Sequence, residues 1–196
     1  MKSLIILFAF LCTVFGFVEF DHPCRDTVPA KENFTPAFFT GIWFEVLHSL
    51  NGDDADMVQC IDHHYTRRGL QQVFDVERTG FFRGSRMAEN SVVRVAFPNE
   101  SPMRALLNGT VDRVTGGSIE YFYRIHASDY TNYAIVWSCT DLPLNRSREE
   151  ISVLGRSTSL SESVYIKVGA LLQDIGLQDH LFRYILHSPE ACGLAL

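Results

Sequence analysis

The residues able to do chemistry are few and scattered. Glu45 and Glu77 could act as paired acids, but nothing in the sequence sets them at a glycosidase-like separation. His63 and His64 could ligate a metal, yet neighbours on a strand point to opposite faces and cannot chelate one ion together. The run Ser157–Ser163 has no G-x-S-x-G elbow and reads as a helix entry. Cys24, Cys60, Cys139 and Cys192 lack the C-x-x-C spacing of a zinc knuckle. They read as two disulfides in any of three connectivities. No metal, no cofactor and no catalytic residue is expected.

These residues sit on a chain that reads as strands. β-branched and aromatic runs, broken by Gly, Asn and Pro, predict strands near 42–50, 60–67, 71–78, 91–97, 103–111, 118–126, 131–139 and 149–156. Arg68-Gly69, Thr79-Gly80 and Gly116-Gly117 mark turns between them. Eight short strands without intervening helices point to an antiparallel sandwich or an up-and-down barrel. Ser159 and Glu162 then have the spacing of a capping box. Val164, Val168, Leu171, Leu172 and Ile175 follow at helical spacing, and Gly176 is placed to stop the helix. This helix must lay its apolar stripe on the outside of the sheet. Residues 181–186 could form a last short strand, and residues 17–40, with Pro23, Pro29 and Pro36, an irregular lead-in.

Length and composition narrow the function classes. The 196 residues suit one domain, and 46% hydrophobic with 20% charged residues argues against disorder. A net charge of -6, from Lys+Arg 17 against Asp+Glu 23, makes nucleic acid a poor partner. Met1-Lys2 followed by the apolar run Leu4–Phe17 predicts a signal peptide over residues 1–16, cleaved near Gly16, and a single domain over 17–196. That run is too short to span a membrane, and Cys12 leaves with it. The protein is therefore expected to be secreted, where four cysteines would pair. Glycosylation acceptors occur at Asn33, Asn99, Asn108 and Asn145, and Pro36 and Pro102 directly follow two of these triplets.

Three separated motifs carry more than any one residue. Asn33-Phe34, a six-residue spacer and Gly41-Ile42-Trp43-Phe44-Glu45 come first. Ser128-Asp129-Tyr130-Thr131-Asn132-Tyr133-Ala134 and Leu154-Gly155-Arg156 follow in order. Together they resemble the lipocalin motifs, over about residues 24 to 192. Cys60-Ile61, Trp137-Ser138-Cys139 and Glu190-Ala191-Cys192 are most similar to the apolipoprotein D and insect bilin-binding or insecticyanin branch. The resemblance implies an eight-stranded antiparallel up-and-down barrel with one C-terminal helix on its outside. It also implies the bridges Cys24–Cys139 and Cys60–Cys192. Trp43 would close the narrow end with Arg156 across its indole, Gly41 allowing close approach and Asp129 and Tyr130 nearby, all as fold determinants.

The resemblance further implies a secreted carrier, without chemistry of its own, for a small hydrophobic ligand: a lipid, sterol, retinoid or bilin-type pigment. Its register faces Glu45 and Leu47 inward with Trp43, Ser152 and Leu154 with Arg156, and Ala134, Val136 and Ser138 opposite to Cys139. On the third strand the apolar pattern prefers Phe74 and Val76 inward, whereas the family register prefers Val73 and Asp75. The ligand-binding set so read is Leu47, Tyr65, Val73, Asp75, Tyr121, Tyr123, Val136 and Ser152. An interaction or signalling lipocalin with a filled cavity is the alternative. An enzyme of the prostaglandin D synthase kind is disfavoured, because it needs a free cavity thiol. Phe81-Phe82, read as the tip of a long loop over Thr79–Asn90, could touch a membrane, lipoprotein or receptor at the open end, or fold over the mouth as a lid.

Overall fold

Period-two alternation over eight successive segments produces eight strands, each bonded to its neighbour in sequence. A computed structural model describes residues 19–24, 27–50, 57–112, 117–178 and 180–194; the expected signal peptide lies outside them. A short edge strand β1 (Glu19–Phe20) and one helical turn α1 (Pro36–Phe39) precede the barrel. The barrel strands are β2 (Gly41–Ser49), β3 (Gln59–Arg67), β4 (Val73–Phe82), β5 (Ser85–Val95), β6 (Leu106–Asp112), β7 (Ser118–Ser128), β8 (Tyr133–Leu142) and β9 (Arg146–Gly155). All pairings are antiparallel, and β9 returns to pair with β2, closing the sheet and removing its edges. Helix α2 (Glu162–Asp174) and strand β10 (Phe182–Tyr184) follow. The up-and-down barrel with one outer helix is thus as expected.

Alternation separates two cores. Trp43, Tyr65, Phe74, Val93, Leu107, Tyr123, Ile125 and Leu154 pack inside the barrel. Val46, Leu47, Ile135, Trp137, Ile151 and Val153 pack outside with Val168 and Leu172 of α2. Burying each such helix side chain contributes roughly 1.5–3 kcal/mol. Gly176, with φ +70, ends the helix and lets the Leu177 N–H reach the Leu172 carbonyl at 2.8 Å.

Two local expectations are corrected. The capping box does not form: Ser161 is the N-cap and makes no side-chain cap bond, so Glu162 stands in the first turn. The acid still complements the helix dipole there. The long loop over Thr79–Asn90 is instead strand, with β4 and β5 joined by the two-residue turn Arg83-Gly84. Phe82 packs with Val58, Ile61 and Ile185, and the tail lies so close to Phe81 that a Cβ on Gly193 would meet its ring at 2.4 Å. Phe81 and Phe82 are therefore half-buried strand residues rather than an exposed tip.

The tail also completes the wall. β2 pairs with β3 only from Gly41 to Phe44. Beyond that point β10 takes over against Leu47–Ser49, the Ile185 N–H reaches the Val46 carbonyl at 3.0 Å, and the Cys60 N–H reaches Leu186 at 2.8 Å. The Cys60–Cys192 bridge fixes this seam, while Cys24–Cys139 ties the lead-in to β8. Both pairings are as expected from the resemblance.

Candidate ligand-binding site

One end of the barrel is sealed. Gly41 opens β2 at φ +94, where any Cβ would stand 3.2 Å from Arg156 Nη1. The guanidinium can therefore lie over Trp43, 3.7 Å from the ring centroid. It donates to the carbonyls of Tyr130 (3.0 Å), Ile42 (2.8 Å) and Phe38 (3.1 Å). The Trp43 indole N–H donates to the Phe39 carbonyl at 2.9 Å, and the Phe39 ring stacks on it. Asp129 Oδ1 accepts the N–H groups of Thr131, Asn132 and Tyr133, and the Tyr130 hydroxyl accepts the Thr35 N–H at 3.0 Å. These bonds tie Arg156, Trp43, Asp129 and Tyr130 into one cluster that holds this end of the barrel shut.

Above this floor the interior turns polar. β2 and β9 slip register between Glu45 and Leu47. That bulge sends Leu47 outward and His48 inward, opposite Ser152. Glu45, fully buried, accepts hydrogen bonds from His48 Nδ1 and, at 2.9 Å, from the Ser152 hydroxyl through Oε1. Oε2 accepts from His63 Nε2 at 3.0 Å and lies 4.0 Å from Arg78. Burial pushes the Glu45 carboxyl up, but the bonds from His48 and His63 and the charges of His48 and Arg78 outweigh it, so the group sits well below its ordinary value. Burial likewise pushes His48 down; the bond to Glu45 and the charges of Glu45 and Glu150 overcome it, and the imidazole is raised. Both shifts favour the charged forms, so the two make a buried ion pair whenever His48 is protonated.

A ladder of hydroxyls continues along the far wall. Tyr65 and Tyr123 hydroxyls meet at 3.4 Å, Tyr123 and Tyr121 stack at 5.8 Å, and Tyr121 donates to Ser91 at 3.0 Å. Gly109 makes room for this, since a Cβ there would stand 2.1 Å from the Tyr121 ring. Burial raises the phenol pKa of all three tyrosines, which keeps them neutral hydrogen-bonding groups. Farther out, register places Met87 and Ile119 on the inner face, yet they are 48% and 40% exposed. The barrel is sealed at the Trp43 end and reachable by solvent at the other.

No family model matches the sequence, and no curated protein matches it. Solved structures do. Insecticyanin from the tobacco hornworm Manduca sexta superposes with a TM-score of 0.78 at 19% identity, over 90% of this chain and 93% of that one. Lobster apocrustacyanin A1 gives 0.63 at 19%, over 78% and 79%. The cockroach allergen Per a 4 gives 0.61 at 19%, over 86% and 97%. The barrel has the lipocalin fold.

Within this lipocalin barrel, Tyr65, Tyr121, Tyr123, Val136 and Ser152 face the interior, as the sequence predicted. Three expected inward residues do not. Leu47 joins the outer core because of the bulge, and Val73 and Asp75 point outward because Phe74 and Val76 occupy the inner face. Asp75 instead pairs with Arg68 at 2.9 Å on the surface. His48, Arg78 and Ser91 were missed: a bulge turns His48 inward, Arg78 follows Phe74 and Val76 on the inner face of β4, and Ser91 meets the Tyr121 hydroxyl. His63 and His64 face opposite sides, and so do Glu45 and Glu77. His64, Thr66, Glu77, Asn90, Thr110 and Asp112 line a separate outer groove of about 510 Å³. His187 stands beside the Cys60–Cys192 bridge, with both sulfurs committed to the disulfide. Asn33, Asn99 and Asn145 are exposed, and Asn108 is half-buried on the outer face.

Proposed function

We propose that this chain is a secreted lipocalin carrier that holds one small, largely apolar ligand inside the barrel. The observation that carries the reading is the contrast between the barrel's two ends. The Trp43 end is sealed by Arg156, whereas inward side chains at the other end remain reachable by solvent. A barrel of eight strands is just wide enough for one small ligand. Taking an apolar body out of water there contributes about 25 cal/mol per Å² before ordering costs. A lipid, sterol, retinoid or bilin-type pigment suits the mixture of tyrosine faces and hydroxyls. The two disulfides support secretion after removal of residues 1–16, with glycans at the surface sequons. The four bridged cysteines leave no thiol for synthase-type chemistry among the described residues.

Titration of delipidated protein with N-phenyl-1-naphthylamine, a fluorescent apolar probe, tests this reading. Saturable binding at one site per chain, abolished by Val136→Trp in a folded variant, is the expected result. Binding that is unsaturable, or unchanged by that substitution, would favour the interaction protein with a filled cavity.

A further inference from the structure

We propose that the ligand enters acid end first and seats a carboxylate on Arg78, an inference that rests on the carrier reading and specifies its ligand class. The inner apolar residues fall into two groups. The lower contains Phe39, Trp43, Tyr65 and Phe74; the upper is the small set Val58, Ile61 and Ile185 with Phe82. Glu45, His48, His63 and Arg78 share the inner face with them. A hydrocarbon end pushed to this depth would strip water from the part-exposed Arg78 guanidinium without replacing its hydrogen bonds. A polar end replaces them. The deep end of the ligand is therefore polar, and its apolar body lies toward Met87 and Ile119 at the mouth.

The sign follows from what each charged group is already doing. Glu45 spends both oxygens on Ser152, His48 and His63, so it has little to offer a cation. Arg78 is different. Its side chain is 36% exposed, and its ion pair with Glu45, at 4.0 Å, is long. A guanidinium presents five N–H donors in a fork that matches a carboxylate. Arg183, opposite His48 on β10, adds positive charge on the same face. Two acids also face inward: Glu89, opposite Arg78 on β5, is exposed, and Glu150 is 50% exposed beyond His48. Both stand in solvent, where water screens them, while the buried Glu45 carboxylate is already bonded to His48 and His63.

Palmitic acid, hexadecanol and hexadecylamine share one tail and differ only in the head. Their displacement of N-phenyl-1-naphthylamine from the delipidated mature protein at neutral pH reads the preference directly. The acid is expected to bind about 10-fold or more tighter than the alcohol, the range of a paired charge-assisted contact. Arg78→Gln should remove that preference, so that acid and alcohol bind about equally. Tighter binding of the amine, or equal binding of acid and alcohol, would overturn the proposal while leaving the carrier intact. Failure of the probe and of all three ligands would sink the carrier reading as well. Carboxyl-13C palmitate on the wild-type protein gives an answer independent of any variant. A resonance that stays ionised below about pH 4 fits pairing with Arg78; titration at the value of free fatty acid places the head in solvent and contradicts it.

Discussion

His48 and Ser152 stand opposite each other across β2 and β9 and share one oxygen of Glu45. One extra residue in β2 creates this arrangement. Without the bulge Leu47 would face Ser152 and the Glu45 carboxylate would lose its strongest partner. Bulges re-aim side chains, and this one converts an apolar wall position into half of a buried ion pair.

That pair sets a pH window for stability. Glu45 is lowered from 4.5, so its contribution is complete above about pH 4.5 and is lost as pH falls through its folded value. His48 is raised from 6.5, so its contribution is complete below about pH 6.5 and is lost as pH rises through its folded value. Scanning calorimetry across pH should find the highest Tm between these limits. His48→Leu should flatten the alkaline limb; an unchanged limb would mean the pair does not titrate with folding.

Arg156→Ala removes a cation–π contact of roughly 0.5–2 kcal/mol and three hydrogen bonds to carbonyls at the sealed end. Urea unfolding should show a loss of about 2–4 kcal/mol, since two of the three bonds are solvent-exposed and each nets nearer the about 0.5–1.5 kcal/mol of an ordinary hydrogen bond than the about 1.5–3 of a buried charged one. Probe affinity in the folded fraction should stay within about twofold, because the contact lies beneath the ligand.

Gly109→Ala places a methyl where the Tyr121 ring lies. Overpacking of this kind costs about 1–3 kcal/mol. The ring must swing away from Ser91, so the variant should lose stability and probe affinity together. An affinity loss without a stability change would argue that Tyr121 moves freely in the wild type.

Opening the Cys60–Cys192 bridge with paired serines releases a link between residues 132 apart. The entropy model assigns such a loop roughly 4–5 kcal/mol. Hydrogen exchange should rise first at Leu47–Ser49, which pair with β10, while Gly41–Phe44 against β3 remain protected. Uniform exposure of β2 would show that the tail is not a separable part of the wall.

The sequence made the barrel legible because its signals are local. Alternation, turn residues and the amphipathic stripe of α2 each act within a few positions, and the motifs around Trp43, Asp129 and Arg156 act in one cluster at the sealed end. The calyx was legible only in part. Tyr65, Tyr121, Tyr123, Val136 and Ser152 follow from strict alternation, but alternation fails at the bulge that exchanges Leu47 for His48. On β4 the apolar pattern of Phe74 and Val76 was the better guide than family register, which selected Val73 and Asp75. The hairpin at Arg83-Gly84 was hidden because its strand ends are held by the tail, more than a hundred residues away in sequence. No local signal reports a contact of that range.

The most direct test of the carrier account is native mass spectrometry of the protein purified from its own tissue, with an absorption spectrum of the same sample. The account predicts a single added mass per chain that disappears on denaturation. A visible band with it identifies a pigment, and its absence a lipid or sterol. A bare polypeptide mass, unchanged after exposure to lipid extracts, would contradict the account.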